Sequence, residues 1–286
     1  MDAVSEVEVF DSRRCELGES PHYDERTGRV WWVDVLGCRV LWRTPSAGES
    51  GWLTTPAHVG AAVPTSSGRL VVCLPDGPSL LDPVDGRMRP LAQYPDTSPG
   101  LRSNDAKADR EGRLWLGTMA YDESSPIARL YRLDAGAAQL QAVVDGVKVS
   151  NGLGWSPDGA IMYYVDSPTR RVDAFDYDSG HVKNRRTFAT IDHGFPDGLC
   201  VDADGGVWVA LWLAGAVHRY LPNGALDRVV RMPTPLVTSC AFAGPDFRTL
   251  IITTAAKGRP DDAAAGLTYA HYPNGVHGLA VDVFAG

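Results

Sequence analysis

The sequence predicts an all-β fold, a six-bladed β-propeller of four-stranded antiparallel blades, and three observations carry that expectation. A unit of polar leader, strand, turn and second strand recurs six times along the 286 residues. Its second strands begin near Trp31, Leu70, Leu114, Ile161, Val207 and Leu250, a period of about 39 to 47 residues that matches propeller blades. No stretch shows the apolar periodicity of a helix.

The clearest copy is NGLGWSPDGAIMYYVD from Asn151, matched by DGLCVDADGGVWVAL from Asp197 and NDAKADREGRLWLGT from Asn104. In each, the leader stands eight residues before a turn glycine. GAAVPTSSGRLVVCL from Gly60 keeps that spacing, and ESPHYDERTGRVWWVD from Glu19 keeps it with one extra residue. SCAFAGPDFRTLIITT from Ser239 has Phe247 in the glycine's place. Alternating residues, a turn rich in Asp, Gly, Ser or Pro, and a run of Val, Ile, Leu, Trp and Tyr read as a β-hairpin.

Outer strands are expected in CRVLWRTPSAGE from Cys38, ARLYRLDAG from Ala128, RRVDAFDYDSGHV from Arg170 and GAVHRYLPNG from Gly215, with Asn223-Gly224 as a hairpin turn. Segments from Thr54 and Tyr94 join blades. EVEVFDSR, residues 5–12, and GLAVDVFAG, beginning at Gly278, both alternate. These N- and C-terminal strands are expected to close one blade and remove the open edges of the array. Residues 259–278 fit no blade strand and are expected to form a loop over one face or a mobile excursion. Residues 1–286 are expected to be one propeller domain.

A net charge of −8 without any Lys/Arg run argues against nucleic acid as partner. No apolar stretch is long enough to span a membrane, and MDAVSEVEVFDSRR lacks a secretory pattern, so no membrane partner and a cytoplasmic location are expected. Cys15, Cys38, Cys73, Cys200 and Cys240 are odd in number and contain no CxxC, which argues against disulfides or cysteine-bound zinc. Cys200 and Cys240 read as small core residues.

In a propeller the first strands line the central channel, so leaders in the same phase converge on the axis. Glu19, Asn104, Asn151 and Asp197 would then meet. The plainer reading takes Asn151-Gly152 and Asp197-Gly198 as turn dipeptides. Against it, each copy already has a turn eight residues later, and Asn104 and Glu19 lack a following glycine. Two carboxylates and two amides packed together call for a counter-ion, and two negative charges balance one divalent cation. Oxygen donors suit Ca²⁺, Mg²⁺ or Mn²⁺ better than Zn²⁺. The alternative is a hydrogen-bonded polar plug. Arg102, two residues before Asn104 and on the same strand face, would hold substrate hydroxyls or a carboxylate, the plainer reading being a surface ion pair.

The set LGESP at Leu17, RSNDAKAD at Arg102, GTM at Gly117, VSNGLGWSPD at Val149, FDYD at Phe175 and FPDGLCVDADGGVWVA at Phe195 resembles the SMP-30/gluconolactonase/regucalcin-like (LRE) family. The resemblance implies a six-bladed propeller that hydrolyses a small-molecule sugar lactone with one divalent cation, calcium first among the candidates. By motif it places Glu19, Asn151 and Asp197 as metal ligands and Arg102 and Asn104 as substrate contacts. Asp122 falls close to an acidic substrate-binding position of the animal members, although Tyr121-Asp122 departs from their motif. The tail from Leu267, with His271 and His277, also departs from the family, and capping of the channel mouth by it would alter which lactone enters. Both histidines read as solvated loop residues rather than catalytic ones.

The expected chemistry is attack of water on a lactone carbonyl polarised by the cation, with Asp197 or a hydroxide on the cation delivering the water. No G-x-S-x-G elbow or H-E-x-x-H helix supports another hydrolase type. The rival readings are a metal-dependent esterase or organophosphatase, and a non-catalytic calcium-binding propeller.

Overall fold

The computed structural model describes residues 7–95, 100–280 and 282–286. After β1 (Glu8–Asp11), blade 1 comprises β2 (Gly18–Asp24), β3 (Arg29–Asp34), β4 (Arg39–Thr44) and β5 (Glu49–Thr54). Blade 2 is β6 (Ala62–Pro64), β7 (Leu70–Leu74), β8 (Gly77–Leu81) and β9 (Met88–Pro90). Blade 3 is β10 (Leu101–Ala108), β11 (Leu114–Ala120), β12 (Ala128–Leu133) and β13 (Gln141–Val147). Blade 4 is β14 (Ser150–Trp155), β15 (Ile161–Asp166), β16 (Arg171–Asp178) and β17 (His181–Thr190). Blade 5 is β18 (Phe195–Val201), β19 (Val207–Trp212), β20 (Ala216–Tyr220) and β21 (Leu226–Arg231). Blade 6 holds β22 (Val237–Ala243), β23 (Thr249–Thr254) and β24 (Thr268–His271). The sheets form six four-stranded blades in a ring, a six-bladed β-propeller. Helix is confined, among the described residues, to one short turn at Ser167–Thr169, and no helix is long and apolar enough to cross a membrane.

The second strand of each blade is sandwiched between two neighbouring blades, which is why it reads as a nearly continuous apolar run. Successive side chains of a strand point to opposite faces. Thus Trp31 packs with Leu70 and Val72 of blade 2, while Trp32 packs with Ile251 and Ala270 of blade 6. Equivalent clusters lie at the other blade boundaries, and the blade 6 to blade 1 cluster closes the ring.

The turns repeat as well. The glycine eight residues after the leader adopts positive φ, 72° at Gly159 and 80° at Gly205. In the sixth copy Phe247 takes φ 52° and packs edge-on against Tyr23, with ring centroids 5.8 Å apart. At two of these turns a buried aspartate ties the hairpin to its tryptophan. Asp202 Oδ2 accepts from Trp208 Nε1 at 2.8 Å and Arg219 Nε at 2.7 Å. Asp109 Oδ2 does the same for Trp115 Nε1 and Arg113 Nε, both at 2.7 Å.

Blade 6 is completed by the N-terminal strand, in the order β1-β24-β23-β22. The C-terminal partner differs from the expected one. β24 lies inside residues 259–278, the stretch expected to hold no strand, and pairs Glu8 with Ala270. The alternating GLAVDVFAG segment enters no sheet of the described residues. It begins against blade 5, where Gly278 bridges Asp202, and ends at blades 2 and 3, where Phe284 bridges Thr65 and the Ala285 N–H donates to Gly112 O at 3.0 Å. Phe284 is buried in the core between those blades, so its side chain anchors a strap rather than a strand.

Candidate active site

The five inner strands bearing Glu19, Asn104, Asn151, Asp197 and Ser239 each carry a register shift at or beside the leader. In β10 it falls between Ser103 and Ala106, in β14 between Ser150 and Leu153, and in β18 between Pro196 and Leu199. A bulge bends the strand and re-aims its side chains. The glycines after two leaders serve this packing, because neither adopts the positive φ of a turn. A Cβ on Gly152 would stand 2.5 Å from Asp197 O, and one on Gly198 would stand 2.0 Å from Ser239 Oγ. The leaders Gly60 and Ser239 likewise meet neighbouring strands.

The ends of two second strands hold the approach to the site. Asp34 Oδ1 accepts from the Leu17 N–H at 3.1 Å, and Asp166 Oδ1 from the Val149 N–H at 3.0 Å. Each N–H lies two residues before a leader, Glu19 or Asn151.

Glu19, Arg102, Asn104, Asn151 and Asp197 line one cavity of about 390 Å³. All five are buried. Asn151 Nδ2 donates to Ser167 Oγ at 2.9 Å, and its Oδ1 accepts from Asn104 Nδ2 at 3.0 Å. Asn104 Nδ2 also donates to Ser150 O, at 2.8 Å, and Asn104 Oδ1 accepts from Arg102 Nη1 at 2.8 Å. The Ser20 N–H reaches Glu19 Oε2 at 3.0 Å, and Asp197 Oδ1 is buried without a hydrogen-bond partner.

Burial pushes both carboxyls upward. Glu19 is raised further by the charge of Asp105 and held back by the Ser20 N–H and by Arg102. Asp197 is raised further by Glu19 and Asp105, and Arg102 opposes this. Two facing buried carboxyls do not both ionise unaided, so without a counter-ion they share a proton. The donor set of two carboxylates, one of them with an orphaned oxygen, and an amide oxygen oriented by Ser167 fits a hard divalent cation. Among the described residues no three His, Cys, Asp or Glu side chains form a metal-holding group, so any such ion would depend on the amide and on water.

Asp122 is not brought to this cavity. It is exposed in the loop after β11, where its carboxylate accepts from the Ser124 and Ser125 N–H groups at 2.9 and 3.0 Å and from Ser125 Oγ at 2.6 Å. Those bonds, led by the Ser125 hydroxyl, hold it at about 2. Its neighbour Glu123 lines the cavity instead, ion-paired to Lys257 at 3.2 Å across the rim. Phe195, Trp212 and Leu213 form the wall over blade 5.

Asp105 was not anticipated. It is buried next to Asn104 with Oδ2 unpartnered, and its charge acts on both Glu19 and Asp197. Strict alternation would turn it away from Asn104's face, and the bulge cancels that rule. The signal available was its place within RSNDAKAD.

The opposite mouth of the channel holds a second cavity of about 380 Å³, lined by His22, Lys107, Trp155 and Cys200 and by Leu279 and Ala280 of the strap. Lys107 Nζ crosses the channel to Leu199 O. The tail therefore borders the far mouth rather than the mouth above Asp197. His271 is buried in β24, His277 is exposed, and neither lines the site cavity. Cys200 and Cys240 are both buried, as small core residues, with their thiols in a hydrogen bond at 3.7 Å and no disulfide between them.

Known proteins share this architecture. The chain is 34% identical to regucalcin of Xenopus laevis over 295 residues, an alignment spanning 98% of each protein. It is 36% identical over 260 residues to the Bacillus subtilis protein YvrE, a candidate sugar lactone lactonase, covering 89% of this chain and 87% of that one. The crystal structure of a calcium-binding protein, regucalcin from Agrobacterium tumefaciens, superposes with a TM-score of 0.92 at 27% identity, covering 98% of this chain and 97% of that one. The model of the SMP-30/gluconolactonase/LRE-like region matches residues 17–256, and the chain belongs to that family.

Proposed function

We propose that the protein is a sugar-lactone hydrolase dependent on a divalent cation held by Glu19, Asn151 and Asp197, with calcium the first candidate. The observation that carries this reading is Asp197 Oδ1, buried and without a partner, facing Glu19 in a cavity that also contains Arg102 and Asn104. The lactonase name of the Bacillus relative and the calcium-binding name of the Agrobacterium one support it.

When bound, the cation supplies Lewis-acid polarisation of the lactone carbonyl, worth several kcal/mol. The protein's own groups do the rest. Asn151, its amide orientation fixed by Ser167 and Asn104, would offer its oxygen to the ion. Arg102, anchored through Asn104, presents its remaining N–H groups to substrate oxygens. Asp197 accepts a proton from water as the water oxygen bonds to the carbonyl carbon. Collapse then breaks the ring C–O bond, and that proton passes to the departing alkoxide to leave a hydroxy acid. General-base help of this kind contributes about 10²–10⁴-fold. Arg102 and Asn104 also argue for catalysis over simple calcium storage, because a pure ion site has no use for a guanidinium at its edge.

Chelator-stripped protein should open no lactone in a pH-indicator assay until Ca²⁺, Mg²⁺ or Mn²⁺ is restored. Asp197→Ala should lose about 10²-fold or more in kcat. Chelator-resistant turnover, or wild-type turnover by Asp197→Ala, would overturn the reading.

A further inference from the structure

The site cavity is two-sided. Glu19, Arg102, Asn104, Glu123 and Lys257 put the charged and hydrogen-bonding groups on the side of blades 1, 3 and 6, with Leu17 and Met119 among them. Above the floor residues Asn151 and Asp197, the blade 4 and blade 5 side presents Val149, Pro168, Phe195, Trp212 and Leu213. The one hydroxyl there, Ser167 Oγ, already accepts from Asn151 Nδ2. A polyhydroxylated substituent laid on that side would lose its water and find almost no partners, which is unfavourable for each hydroxyl buried.

Leu213 adds an independent observation. Its φ of 68° lies in the left-handed region, where a branched apolar side chain is strained, and it is 56% exposed at the rim. A turn residue of this kind is ordinarily glycine or asparagine. Here an apolar side chain occupies the position and is exposed at the rim. Beside it, Phe195 is fixed from outside the cavity by the Arg170 guanidinium, 4.6 Å from its ring centroid. The result is an apolar shelf next to a charged half.

We infer that the substrate is a lactone carrying an alkyl or aryl substituent, whose ring oxygens face Arg102 and Asn104 and whose apolar arm covers Leu213, Trp212, Phe195 and Pro168. This departs from the sugar part of the proposed reading and rests on its lactone-hydrolase part. Leu213 is then a specificity residue. It would decide between apolar and polyol arms and take no part in the hydrolytic step.

The test compares kcat/KM of the calcium-loaded full chain for γ-butyrolactone, its γ-pentyl derivative and glucono-δ-lactone. The pentyl compound should exceed the other two by about 10-fold or more. Leu213→Asn, which tolerates the same backbone, should lower the pentyl-to-unsubstituted ratio by a similar factor. Calorimetric titration with γ-butyrolactam and its γ-pentyl derivative reads the shelf without turnover. If the pentyl lactam binds no tighter than the parent lactam, or the ratio survives Leu213→Asn, the shelf has no such role. If the pentyl lactam binds tighter but no lactone is opened, the shelf stands and the hydrolase reading fails. A preference for glucono-δ-lactone overturns the apolar arm and leaves the hydrolase reading intact.

Discussion

Ser20, like Leu213, holds positive φ without being glycine, 51° in its case, and it directly follows Glu19. Strain next to a buried carboxylate has a purpose here, since it turns the Ser20 N–H back onto Glu19. Asn151 is oriented by two side-chain bonds, its Nδ2 donating to Ser167 and its Oδ1 accepting from Asn104. Ser167→Ala should therefore weaken divalent-cation affinity about 10-fold by calorimetric titration. Unchanged affinity would show that Asn151 needs no such support. The Glu19 and Asp197 pair is unfavourable without its ion, so Asp197→Asn should raise the stability of chelator-treated protein by about 1–2 kcal/mol in urea unfolding. Lower stability of the variant in chelator would contradict the like-charge account. His22 provides the pH dependence. Its Nδ1 faces the Ser20 carbonyl at 3.1 Å, so Nδ1 carries the proton and Nε2 is left as a buried acceptor without a partner. Burial, and then the charge of Lys107, lowers it from 6.5 to about 4. Between those values the unfolded chain binds a proton that the native state excludes. This contribution is complete above about pH 6.5 and is lost as pH falls toward 4, by about 2 kcal/mol between pH 7 and pH 5. His22→Leu should lose that portion of the pH dependence, and identical slopes in parent and variant would remove His22 from the account. Glu19, Asn104, Asn151 and Asp197 could be picked out beforehand because their spacing to the turn is regular. Asp105, His22 and Lys107 could not, because bulges in β2 and β10 break the alternation that assigns a residue to a face.

At the scale of the element, the hairpin with its turn aspartate is the unit that repeats. Asp202 and Arg219 are both buried and joined at 2.7 Å. Although Arg219 would keep Asp227 at 2.6 Å, removing Asp202 strands the Trp208 Nε1 and Gly206 N–H donors and half of the Arg219 pairing. Asp202→Ala should lower stability by about 3 kcal/mol. Asp85→Ala, which breaks an ion pair to an arginine that is 88% exposed, should change it by no more than about 0.5 kcal/mol. Equal effects in denaturant titrations would mean that burial does not set the difference. The second strands were legible because both of their faces are covered and their apolar runs are long. β24 was not: four residues between a turn at Gly266 and another at Gly275 carry too little pattern to outweigh the surrounding loop residues. GLAVDVFAG misled for the opposite reason, since alternation records two-sidedness and a strap anchored by Phe284 shows it too.

For the whole molecule, the question is what keeps a ring of similar blades shut. β1 closes the ring by hydrogen bonding to β24, and the strap ties blade 5 to blades 2 and 3 across the far mouth. Among its described residues Phe284 gives the strap its deep apolar hold, buried with Val63, Leu114 and Leu133 in the core. Deleting 279–286 would uncover that core and open the lower cavity. It would leave Glu19, Asn151 and Asp197 untouched, because the strap lies at the other end of the channel. Phe284→Ala should cost about 3 kcal/mol, and the deletion at least as much, seen as a drop in melting temperature of several degrees. The relative kcat/KM values across a lactone panel, measured below the melting transition, should stay the same in the truncated and full chains. A tail lying over the site would give the reverse outcome, in which substrate preference shifts on truncation while thermal stability barely moves, and that result would put the strap at the wrong end of the propeller.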